Sequence, residues 1–236
     1  MVTALIVGTL TGFVLSIPPG PIAIAVIKHA LDGRTRDGYL MAASTFLMDT
    51  IYATGAAFAS TAILGHLTGE ADGPSIWMVL FQTAAIVVLV ALGISYFKAT
   101  TKTVVESAKQ EEEQEKRAEK MGVTSPFLVG VLIALTNLAS PTLIPSLIGT
   151  ISYLHSNEYT GRWVGHTITD NILLSVGFGL GAGLWFVVML RVLAHFRTRL
   201  STNFIGHIYR FAGGTFILFA IILAYNVVMG TEWSRL

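Results

Sequence analysis

Residues 13–33 read FVLSIPPGPIAIAVIKHALDG, and the fold turns on how this stretch is understood. Three prolines and a glycine interrupt a run that is otherwise almost wholly apolar. Proline has no amide donor, and its ring clashes with the carbonyl four residues earlier. In a continuous helix Pro18, Pro19 and Pro21 would therefore strand the carbonyls of Val14, Leu15 and Ile17. Gly20 admits backbone angles that other residues resist. In hydrocarbon, stranded groups must meet protein, water or a ligand. A simple anchor has no use for such a break, whereas a segment that offers its backbone to a passing solute does. Unwinding also leaves a half-helix N-terminus, whose positive end can hold a carboxylate.

The rest of the chain supports a membrane setting for this stretch. Of 236 residues, 53% are hydrophobic and only 12% are charged, with a mean hydropathy of +0.67. That composition excludes an ordinary soluble domain. There is no cysteine, so disulfides, thiolate metal sites and thiol chemistry are excluded. No positive n-region precedes the uncharged residues 1–27, and the run is too long for a signal-peptide core, so it reads as a first spanning helix.

A spanning helix needs about 20 largely apolar residues. Six segments qualify, at residues 2–27, 39–65, 74–97, 125–153, 165–190 and 208–229. The expected fold is an all-α integral membrane protein, residues 1–236 forming one polytopic domain. Basic residues lie in alternate links. Lys28, Arg34 and Arg36 follow the first span; Lys98, Lys102, Lys109, Lys116, Arg117 and Lys120 follow the third; Arg191, Arg197, Arg199 and Arg210 follow the fifth. Only Arg162 and Arg235 fall elsewhere among the 15 Lys and Arg residues. The positive-inside rule then places these links in the cytoplasm and both termini outside.

The link 98–124 is strongly polar. Its segment ESAKQEEEQEKRAEKMG (Glu106 to Gly122) suits a solvated helix with Glu–Lys pairs, or a disordered tether. Mixed acidic and basic runs argue against a nucleic-acid partner. The link divides the chain into residues 1–97 and 125–236, each with three spans. An odd number of spans places two related units upside down to one another, the arrangement of inverted-repeat transporters. The halves echo each other. Pro21 precedes Asp49 by 28 residues, and Pro141, in the segment TNLASPTLIP with Asn137 and Pro145, precedes Asp170 by 29.

A carboxylate near mid-bilayer costs at least about 2.5 kcal/mol, so Asp49 and Asp170 are expected to face the bundle interior. There either acid can exchange a proton or receive a substrate amine. Tyr52 follows Asp49 by three residues and either donates a hydrogen bond or packs. Thr167, Asp170 and Asn171 fall within one turn. His166 reads as a proton relay near neutral pH or as an interfacial histidine. Gly177/Gly181 and Gly179/Gly183 have small-residue spacing and suggest a packing seam. No HExxH, Walker A loop or GxSxG elbow occurs, and the six histidines are scattered, so neither an enzyme, a resident metal nor a cofactor is expected.

Pro19-Gly20-Pro21, Gly33-Arg34 with Gly38, Asp49 in the second span and Leu135-Thr136-Asn137, taken in that order, resemble the LysE/RhtB superfamily of bacterial amino-acid exporters. The chain departs from it at Asn137-Leu138-Ala139, where members often carry Asn-Pro-Lys. It also has Ser44 and Met48 where glycines are common. The resemblance implies a multi-pass protein of the bacterial inner membrane that exports a small metabolite by secondary transport. It implies a translocation path through the Pro19–Pro21 and Asn137–Pro141 regions, with Asp49 between them. The resulting expectation is export of an amino acid coupled to entry of a proton or other cation. Pro18, Pro19, Gly20, Pro21, Asn137, Pro141 and Pro145 line the path, and Asp49 and Asp170 carry the proton or pair with the amine. Tyr52, His166, Thr167 and Asn171 support them. A homo-oligomer is compatible with this reading. Two competing readings remain: a divalent metal-cation transporter, using carboxylate and carbonyl oxygens, and a non-transport membrane scaffold or assembly factor.

Overall fold

A computed structural model describes residues 2–17, 21–67, 76–98, 101–137, 143–156, 158–196 and 202–230. Among these residues the chain is entirely helical, in the order α1 (Val2–Leu15), α2 (Pro21–Leu31), α3 (Thr35–Leu67), α4 (Ile76–Phe97), α5 (Thr101–Lys120), α6 (Pro126–Asn137), α7 (Leu143–Ser156), α8 (Glu158–Val164), α9 (Ile168–Phe196) and α10 (Thr202–Gly230).

The described helices end and begin on either side of both expected breaks. α1 stops at Leu15 and α2 starts at Pro21; α6 stops at Asn137 and α7 starts at Leu143. Pro21 takes the first position of its helix, where the missing amide costs nothing and the fixed φ suits the first turn. Pro145 lies in the first turn of α7. At that position an amide has no partner within the helix, so the missing donor costs nothing. Pro18, Pro19, Gly20 and Pro141 lie outside the described residues.

Length and composition follow from these breaks. α9 is long and apolar enough to cross a membrane, its apolar stretch being Ile168–His195. Its 29 residues rise about 43 Å, against a hydrocarbon core of about 30 Å. Shorter apolar helices occur at Val2–Leu15, Ile22–Leu31, Ile86–Phe97, Pro126–Asn137 and Gly213–Met229.

The outer surface of the helices is largely apolar. The outer faces carry Ile6 and Leu10 on α1, Leu47, Ile51 and Phe58 on α3, Leu80 and Val87 on α4, Leu180 and Leu184 on α9, and Leu218 and Ile221 on α10. Buried positions instead include Ser44, Ser60, Ser152, His155, Asn171 and Ser175. An apolar exterior of this extent fits a lipid surface.

α9 is the central strut, packed on both α1 and α3. The glycines on α9 serve two seams. A Cβ at Gly177 or Gly181 would collide with the α1 backbone at Leu5, Thr9 or Phe13, and one at Gly179 with Phe46 and Thr50 of α3. α1 answers with Gly8 and Gly12, set against the backbone of Leu174 and Phe178. Small residues four apart on both helices let the backbones touch. The seam expected from Gly177/Gly181 and Gly179/Gly183 is thus found, split between two neighbours. In the second half α6 lies on α3, and α7 lies on α3 as α2 lies on α9; α4 pairs with α10. The departure at Ser44 is accommodated from across the contact, since Gly130 of α6 leaves room for the Ser44 hydroxyl.

The charged link is a helix, α5, with a Lys116–Glu112 pair at 2.7 Å. Ala118 is buried in a cluster with Ala30, Met41 and Leu193, so one face of α5 docks on the bundle. Glu115 reaches α2, at 2.6 Å from Lys28 Nζ and 3.6 Å from His29 Nε2. α2 and α5 end alike. Gly33 and Gly122 hold φ of 78° and 76°, and the next residue donates back to His29 and to Ala118 respectively, a left-handed stop that favours glycine. Glu115→Gln is expected to weaken docking by less than about 1 kcal/mol, because the pair is partly exposed. Hydrogen exchange across α5 should speed up by no more than about fivefold, and high salt should produce the same change in the wild type.

Candidate functional site

Asp49 lies near the middle of the 33-residue α3. At 3.6 residues per turn it falls on the same face as Ala42, Thr45, Tyr52, Ala53, Ala56 and Ser60, all of which are buried. The opposite face carries Leu47, Ile51 and Phe58, which are exposed. Asp49 points inward, yet it is only half-buried. Among the described residues no hydrogen bond or ion pair holds its carboxylate.

Both breaks converge on this level. Met48 and Tyr52, which flank Asp49 on its face, share one apolar cluster with Leu15 and Ile22 on either side of the first break, and with Ala134 and Leu147 on either side of the second. Asn137, the last residue of α6, is half-buried. Among the described residues the hydroxyl of Tyr52 is buried without a hydrogen-bond partner. The indole nitrogen of Trp185 on α9 is likewise buried and unpartnered. Its ring meets Phe13 edge-on at 5.5 Å, just before the first break. Ile22 touches the clusters of both Tyr52 and Trp185. Buried polar groups without partners cost about 1–3 kcal/mol each, and such a cost concentrates where a ligand can relieve it.

Asp170 sits elsewhere. It occupies the first turn of α9 rather than its middle. Thr167 caps the helix: its hydroxyl donates to Asp170 Oδ2 at 2.6 Å and accepts from the Asp170 amide at 3.1 Å. A carboxylate is favourable at this positive helix end. A Cβ at Gly165 would run into the same carboxylate. Thr167→Ala should lower stability by about 1 kcal/mol, visible as a reduced melting temperature in detergent, while Thr167→Ser should restore it.

Asn171 belongs to a second, buried polar group. Its Oδ1 is 3.0 Å from His155 Nε2, and its Nδ2 donates to Thr61 Oγ1 at 3.1 Å. His155 Nδ1 lies 3.1 Å from the Ile151 carbonyl and 3.5 Å from Ser60 Oγ, which accepts from Ser152 at 2.9 Å. His166 is exposed and stacks on the His155 ring with centroids 5.5 Å apart. Of this group the sequence marked Asn171 and His166 but not His155, Ser60, Thr61 or Ser152. His155 stands beside Ser156 near a helix end and carries no local sign of its partners on α3.

Among the described residues no three His, Cys, Asp or Glu side chains come together in a way that could hold a metal ion. A largely apolar cleft of about 90 Å³ opens between Leu15, Leu89, Thr150, Tyr153 and Leu223; Asp49 is not among its lining residues.

The broken helices around an inward acid, in a bundle with an apolar exterior, define a membrane translocator. The profile of the LysE type translocator family matches residues 13–227, and the chain belongs to that family. Membership makes it a membrane transport protein and not an enzyme. No curated protein and no solved structure matches the chain.

Proposed function

We propose that the protein is a six-span secondary transporter of the bacterial inner membrane, exporting a small zwitterionic or cationic amino acid in exchange for protons. The observation that carries this reading is Asp49, on the inward face of α3 between Met48 and Tyr52, which share one cluster with the flanks of both helix breaks. Backbone groups at the facing ends of α1 and α2 and of α6 and α7 would bind the substrate's polar ends, while the Asp49 carboxylate alternately takes a proton and pairs with the amine. Tyr52 and Trp185 offer two further donors. Asp170, held by Thr167, would act at the outer end of the path.

The packing supports two inverted units, residues 1–97 and 125–236. Exchanging α1, α2, α3 and α4 for α6, α7, α9 and α10 turns the α1–α9 contact into α6–α3 and the α2–α9 contact into α7–α3, and it leaves the α3–α9 and α4–α10 pairs in place. Such symmetry suits alternating access around a central site. The basic links, including α5, would face the cytoplasm and both termini the outside.

A screen of amino acids in proteoliposomes under an imposed pH gradient tests the proposal. Accumulation of an amino acid that collapses with the gradient supports it. Flux of divalent cations without amino-acid dependence would replace it with metal transport. A protein that moves neither is a scaffold.

A further inference from the structure

We propose that His155 is a second protonation site, on the outer side of Asp49, and that its charge state sets the direction of a hydrogen-bond chain locking α3, α7 and α9 together. This inference rests on the proton-coupled reading above.

The geometry starts from the ring's two nitrogens. Nδ1 lies 3.1 Å from the Ile151 carbonyl, which can only accept, and 3.5 Å from Ser60 Oγ. Nε2 lies 3.0 Å from Asn171 Oδ1, also an acceptor. When the ring is protonated, both nitrogens donate to these acceptors. The chain then runs one way. His155 donates to Asn171 Oδ1, Asn171 Nδ2 donates to Thr61 Oγ1, and Thr61 donates to the Ala57 carbonyl at 2.9 Å.

Loss of the Nε2 proton leaves a lone pair facing Oδ1, two acceptors at hydrogen-bond distance. The neutral ring is satisfied when the Asn171 amide turns over, so that Nδ2 donates to Nε2 and Oδ1 faces Thr61. The Thr61 hydroxyl then leaves Ala57 and donates to Oδ1. One proton on His155 thereby reverses two hydrogen bonds that link α7 to α9 and α9 to α3. Amide orientation is fixed by such networks and not by shape.

The location suits a gate. His155 and Asn171 are 4% and 2% exposed, whereas His166, stacked on the ring, is exposed and supplies the entry side for a proton from water. Ser60 and Thr61 lie towards the C-terminal end of α3, about 16 Å along the helix from Asp49. His155 closes α7 and Asn171 opens α9, so all three helices meet here at one end. Few other charges act on the ring among the described residues. α3 presents Ser60 and Thr61, α4 carries no charged residue or histidine, and α8 presents an exposed Arg162. α9 brings Asp170, whose carboxylate is engaged by Thr167, and the α8–α9 link brings His166.

Nitrogen NMR of imidazole-labelled protein in nanodiscs reads the ring directly and needs no substrate. The His155 signals are assigned by their loss in His155→Gln or, where that variant does not fold, by contact with labelled Asn171. The expected result is that Nε2 gains a proton as the pH is lowered within the range in which the protein stays folded, and that the Asn171 side-chain amide signals move with it. A ring that holds one protonation state across that range overturns the proposal and leaves a static polar lock. In transport, His155→Gln should flatten the dependence of flux on external pH, whereas a pH profile unchanged from wild type also overturns it. Absence of amino-acid transport with a titrating His155 would instead sink the exporter reading and leave this site standing.

Discussion

Asp49→Asn is expected to abolish gradient-driven accumulation of substrate, lowering it by about 100-fold or more, the loss typical when a positioned proton-transfer group is removed. Asparagine keeps the shape of the side chain and removes its capacity to change charge. Folding should therefore survive, and exchange across a membrane without a pH gradient should fall far less than accumulation does. Asp49→Glu keeps the carboxyl group with one more methylene and should retain coupling within about tenfold. The reasoning is geometric. Asp49 stands on the buried face of α3, but no partner among the described residues fixes its carboxylate. A carboxylate with a structural task in a membrane is paired, because burying it unpaired costs at least about 2.5 kcal/mol. Flux and accumulation measured in proteoliposomes decide the matter. Equal accumulation by wild type and Asp49→Asn would remove this residue from coupling and shift attention to His155.

The breaks and Asp49 were legible because local chemistry marks them. Proline and glycine announce a backbone interruption wherever they cluster, and an acid in an apolar run stands out without knowledge of its neighbours. The reach of α5 was half legible: its Glu–Lys spacing signals a helix, but only the packed bundle shows Glu115 reaching Lys28 and His29. Asp170 falls in the first turn of its helix for a simple reason. The fifth apolar run begins near residue 165, while the helix begins at Ile168, where Thr167 can cap it. The His155 group could not be read from the chain, since its partners are separated from it by 95 residues at Ser60 and 16 at Asn171. Likewise Gly177 and Gly181 marked a seam, but nothing in sequence said that its other side would be Gly8 and Gly12.

That seam yields the largest expected effect on stability. Gly181→Ala places a methyl group on the α1 backbone at Thr9 and Phe13, and Gly177→Ala places one at Leu5 and Thr9. Backbone atoms cannot turn aside as a side chain can, so α1 and α9 must separate along their length. Overpacking of this kind costs about 1–3 kcal/mol for each site, and the pair together should prevent accumulation of folded protein. Gly183→Ala should be milder, because the nearest atom is the Phe46 Cβ at 3.2 Å. At Gly55 nothing lies within 4 Å, and alanine there should be neutral or stabilising through helix propensity. Melting in detergent should therefore fall in the order Gly55→Ala, Gly183→Ala, Gly181→Ala. A Gly181→Ala protein as stable as wild type would mean that the helices are not in backbone contact.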